Sequence, residues 1–148
     1  MAVFKRFDHV SIGVKDMEKA RKLFTEVLGT VPMKDKGESP EGFDWVTFML
    51  GGNKVELVSP HKLGEGGVGR YIEKYGEGFH HISIAVDDIA EAIRHFESKG
   101  VRVLGAQLEE NSWKHCYLHP KDTFGALIQV FEESKKTVDD ARALAEKE

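Results

Sequence analysis

An α+β fold of two tandem βαβββ modules, forming a curled mixed sheet around a metal-binding cavity, is predicted by three observations. One segment recurs along the chain, its strand and helix signals recur in the same order, and polar side chains fall at matched positions on otherwise apolar strands.

The repeat is direct. FDHVSIGVKDMEKARKLF at 7–24 lies over FHHISIAVDDIAEAIRHF at 79–96, with Phe7/Phe79, His9/His81, Ser11/Ser83, Ile12/Ile84, Val14/Val86, Asp16/Asp88, Ala20/Ala92 and Phe24/Phe96 identical. Further on, GNKVELV at 52–58 lies over GALIQVF at 125–131, pairing Gly52 with Gly125 and Glu56 with Gln129.

Each copy opens on a strand, because Phe7, His9, Ser11 and Gly13 alternate with Val10, Ile12 and Val14. A helix follows. Asp16 and Asp88 stand at its N-cap, apolar residues recur at helical spacing (Met17, Ala20, Leu23, Phe24; Ile89, Ala92, Ile93, Phe96), and Gly29 and Gly100 close it. Three short β-like stretches come next, near 31–34, 43–50 and 53–59, then near 101–105, 113–118 and 125–132.

The modules therefore span about 5–60 and 77–133, within one domain covering 1–135. The linker 61–76 holds GVGRYIEKYG, enough for a helical turn or two, and the segment 136–148 carries Val138, Ala141 and Leu144 at the spacing of a charged helical tail. GEGGVG in the linker resembles a phosphate loop only superficially, since it neither closes a strand nor sits inside a βαβ unit.

Composition narrows the function. A chain of 148 residues, 41% hydrophobic and 31% charged, can bury a core of its own. A net charge of −4, with basic residues scattered among acids, excludes a nucleic-acid partner. No apolar run reaches the length of a membrane span and MAVFKRFDHV has no apolar signal core, so a cytoplasmic protein is expected. The lone cysteine, Cys116, reads as a small buried thiol.

The repeat brings two imidazoles and two oxygen-bearing side chains to equivalent places: His9 with His81 on the first strands, Glu56 with Gln129 on the last. Burying four such groups without a shared partner would be costly, so they are the predicted ligands of one divalent ion. Mixed nitrogen and oxygen donors suit Co, Zn, Ni, Mn or Fe. His80 alternates away from His81 and should point outward; His61 and His95 fall on a linker and a helix surface.

Through FKRFDHVSIGV, KVELVSP at 54–60, GEGFHHISIAVDDI at 76–89 and LHPKDTFGALIQVFE at 118–132, the chain resembles the vicinal oxygen chelate superfamily over roughly residues 5–132, and within it the methylmalonyl-CoA epimerase family. That resemblance implies an isomerase acting on an acyl-CoA or thioester substrate by α-proton abstraction through a metal-stabilised enolate, and a homodimer. A glyoxalase I-like lactoylglutathione lyase or a bleomycin-resistance-type binding protein are the alternatives within the superfamily. His9, Glu56, His81 and Gln129 match the family's four ligand positions.

The chain departs from the family at Gln129, where a glutamate that serves as both base and ligand is usual; an amide cannot take that proton at neutral pH. Glu56 carries the carboxylate on the opposite copy and becomes the candidate base. By the same resemblance Asp44 lies near a strand where some relatives carry another acid. Trp113, in ENSWKHCYLHP, replaces a glycine-rich stretch and is a candidate for shaping the acyl pocket, and Lys121 in HPKD for meeting a CoA phosphate.

Overall fold

The computed structural model describes residues 3–133; the helix expected over 136–148 lies outside them. In chain order the elements are β1 (Phe4–Gly13), α1 (Met17–Lys22) continued by a π-helical turn over Leu23–Val27, β2 (Pro32–Ser39), β3 (Phe43–Leu50), β4 (Asn53–Pro60), α2 (Gly66–Tyr75), β5 (Gly78–Val86), α3 (Ile89–Ser98), β6 (Val103–Gln107), β7 (His115–Leu118) and β8 (Ile128–Glu132). Two βαβββ repeats are present, and the fold is mixed α+β.

Both copies order their strands alike, β2-β3-β4-β1 in the first and β6-β7-β8-β5 in the second. β1 and β4 run parallel, with Ser11 opposite Glu56, whereas the hairpins β2/β3, β3/β4, β6/β7 and β7/β8 are antiparallel. A parallel neighbour is what a strand–helix–hairpin repeat requires, because the helix carries the chain back over the sheet.

The described residues fall into two compact units, one of residues 8–82 and one of residues 3–7 with 83–133. In the first, Phe24, Val46, Phe48 and Leu57 form a core under α1, and Val58, Val68 and Ile72 a second one under α2. In the other, Val86, Ile89, Ala92, Phe96, Cys116, Leu118 and Val130 pack together. Cys116 is fully buried there and free, as expected of a structural thiol.

The helix signals hold at both ends. Asp16 and Asp88 accept from Lys19 N–H and Glu91 N–H, the two equivalent N-caps, while Gly29 and Gly100 take the positive φ that ends a helix. The linker is more ordered than expected: instead of a turn or two, α2 runs ten residues and packs Val68 and Ile72 inward. No helix among the described residues is long and apolar enough to cross a membrane.

Candidate metal centre

Three of the four predicted ligands meet inside the unit of residues 8–82. His9 comes from β1, Glu56 from the neighbouring β4 and His81 from the start of β5, and one ligand atom from each lies within 4.8 Å of the others. The rings of His9 and His81 are 5.6 Å apart, and His9 Nε2 is 3.6 Å from Glu56 Oε1.

The surroundings orient these groups. Asp8 Oδ2 lies 2.7 Å from His9 Nδ1 and occupies the back of the ring, so Nε2 is the nitrogen turned to Glu56; it is buried without a hydrogen-bond partner among the described residues. Lys54 Nζ in turn donates to Asp8 Oδ1. Carboxylate behind imidazole is the arrangement that fixes a histidine for metal binding. Burial opposes charge on His9, but the Asp8 and Glu56 carboxylates outweigh it and raise its pKa to about 9. Glu56 Oε1 accepts from Ser11 Oγ at 3.1 Å. Two imidazoles and one carboxylate, with an orphaned buried nitrogen among them, form a donor set that fits a divalent transition-metal ion.

Gln129 belongs to the other compact unit. It is buried, its Oε1 accepts from Ser83 Oγ at 2.7 Å, and its Nε2 donates to Tyr117 OH at 3.0 Å. Ser11 to Glu56 and Ser83 to Gln129 are thus the same bond made twice, one per repeat.

The remaining candidates are scattered. Asp44 pairs with Ser59, three residues along β3 from the Thr47 that faces Glu56, and strand alternation puts it on the side covered by α1, near Met17 and Arg21. It is half exposed and bonded to His61 Nε2 at 3.0 Å. Trp113 is half exposed and stacks on His115 with ring centres 4.3 Å apart. Lys121 is the middle residue of the surface turn Pro120–Asp122, its backbone N–H bonded to His119 Nδ1.

His80 overturns its expectation. It is buried rather than outward, because Tyr71 of α2 lies over it with ring centres 4.5 Å apart, and its Nδ1 is 2.8 Å from His81 Nδ1. Burial lowers its pKa to about 4, so it is neutral at pH 7. Sequence reasoning also passed over Asp8, Ser11, Ser83 and Tyr117. The Ser11/Ser83 identity was the available signal; Asp8 had none beyond adjacency to His9.

Residues 8–117 match the Glyoxalase/Bleomycin resistance protein/Dioxygenase superfamily, and the chain belongs to it. The ethylmalonyl-CoA/methylmalonyl-CoA epimerase of Cereibacter sphaeroides is 33% identical over 130 residues, covering 84% of this chain and 96% of the relative. The mitochondrial methylmalonyl-CoA epimerase of Homo sapiens is 33% identical over 135 residues, 84% of this chain and 72% of the relative. A crystal structure of methylmalonyl-CoA epimerase from Mycobacterium tuberculosis superposes with a TM-score of 0.79 at 23% identity, covering 94% and 95% of the two chains, and bears out the fold. These sequence relatives are epimerases, and the chain is an enzyme of that isomerase kind.

Proposed function

We propose that this chain is a metal-dependent epimerase of methylmalonyl-CoA or a related acyl-CoA. The convergence of His9, Glu56 and His81 supports the metal; relatives named for methylmalonyl-CoA support the substrate class. A divalent ion held there would draw charge from the substrate's thioester carbonyl and acidify the adjacent C–H.

Glu56 is the proposed base. Ser11 Oγ can keep one carboxylate oxygen in place while the other accepts the α-proton. Gln129 has no such capacity, because an amide does not take up a proton at neutral pH, and both ends of its amide are already bonded, to Ser83 and Tyr117. Inversion requires a proton to return on the opposite face of the α-carbon, so solvent hydrogen enters the substrate as configuration is lost.

The test is mass spectrometry of methylmalonyl-CoA incubated in deuterated water with the metal-loaded protein. One deuterium per molecule is expected. Glu56→Gln should slow its uptake at least about 100-fold while metal content persists. An active Glu56→Gln variant would overturn the base assignment, and absence of exchange by the unmodified protein would overturn the epimerase reading.

A further inference from the structure

In each repeat, the residue just before the histidine ligand sits at its Nδ1. Asp8 does this for His9 at 2.7 Å and His80 for His81 at 2.8 Å. Asp8 and His80 occupy equivalent repeat positions, yet one is a carboxylate and the other an imidazole, and this difference has a chemical consequence.

A carboxylate can only accept, so Asp8 leaves His9 no choice of tautomer. Two imidazole nitrogens at 2.8 Å need one N–H and one lone pair between them, and either ring could supply either. If His80 donated, the proton of neutral His81 would sit on Nε2, which could then coordinate nothing. We infer that His80 is a positioning residue of the metal site: its Nδ1 accepts the Nδ1–H of His81 and leaves the His81 Nε2 lone pair for the ion.

That assignment puts the His80 proton on its own Nε2, a buried atom with no hydrogen-bond partner among the described residues. Nothing there competes for the other tautomer, and Tyr71 holds the ring in place. His9 is backed by a negative charge and His81 by a neutral ring, so the two imidazoles are unequal ligands and His81 is the weaker donor.

The inference rests on the metal site proposed above, and zinc separates the two. The full chain, labelled with 15N-histidine and loaded with Zn2+, is examined by long-range proton–nitrogen correlation. His81 is expected to carry its proton on Nδ1 and zinc on Nε2, and His80 its proton on Nε2. Failure to bind zinc would sink the site itself. Zinc bound with the proton on His80 Nδ1 would overturn only the positioning role.

His80→Phe keeps a ring against Tyr71 but removes the acceptor, and zinc affinity should fall about 10- to 100-fold. His80→Asn, whose side-chain oxygen can take the place of Nδ1, should recover most of it. Unchanged affinity in His80→Phe contradicts the inference. Should that variant not fold, the tautomers of the unmodified protein still decide.

Discussion

The buried polar residues divide into those the repeat announced and those it did not. His9, Glu56 and His81 were legible because equivalent positions on apolar strands carried ligand-type side chains, and one of each pair is enough to mark the other. The serine beneath each acceptor was equally repeated, but a serine on a strand has too many ordinary explanations to stand out. Asp8 and His80 break the repeat's identity, so no comparison of the two copies could reveal their shared position behind an imidazole. Cys116 gives a residue-scale prediction with a definite sign. Burial raises its pKa from 9.0 to about 11, so the unfolded chain loses the thiol proton first. Stability from this group is complete below about pH 9 and is lost as pH rises toward 11, at about 1.4 kcal/mol per unit. Urea titrations at pH 8 and pH 10 should show the natural chain losing about 1 kcal/mol more than Cys116→Ala across that interval.

Among the elements, the helices α1 and α3 were readable from cap, periodicity and terminal glycine, because these signals are local. Strand limits were less so: the stretch expected from 31 to 34 extends to Ser39, and those from 113 and 125 begin at His115 and Ile128. Hydrogen bonding to neighbours sets these ends, and a single strand's pattern does not contain its neighbours. The linker was underestimated because its five glycines depress helix propensity, while the packing of α2 on β3 and β4 overrides it. Two of those glycines answer to geometry. Gly66 takes φ +64°, and a Cβ on Gly69 would stand 2.5 Å from the carbonyl oxygen of Lys62. An alanine in a helix interior ordinarily gains about 1 kcal/mol over glycine. Gly69→Ala should instead destabilise by about 2 kcal/mol, read as a lower urea midpoint, since backbone must shift to admit the methyl group. Should the variant match or exceed the natural chain, Gly69 is a matter of composition and not of close approach.

For the whole molecule, the proposed metal site would couple binding to folding. His9, Glu56 and His81 are separated by 47 and 25 residues in sequence, so an unfolded chain offers them no common site. An ion that binds only the folded state at 100 times its dissociation constant adds about 2.7 kcal/mol. For a chain of this size that corresponds to a Tm higher by about 5–10 °C. Calorimetry with and without a chelator should record this difference for the natural protein, and the gap should shrink markedly in His9→Ala, which removes a ligand and the orphaned Nε2 together. His9→Ala also relieves the apo site, where the ring stays protonated between Asp8 and Glu56 near neutral pH. The informative quantity is therefore the metal-dependent change in Tm within each variant, not the Tm of the metal-free forms. A chelator-induced shift that survives in His9→Ala at the same free metal concentration would place the stabilising ion elsewhere on the chain.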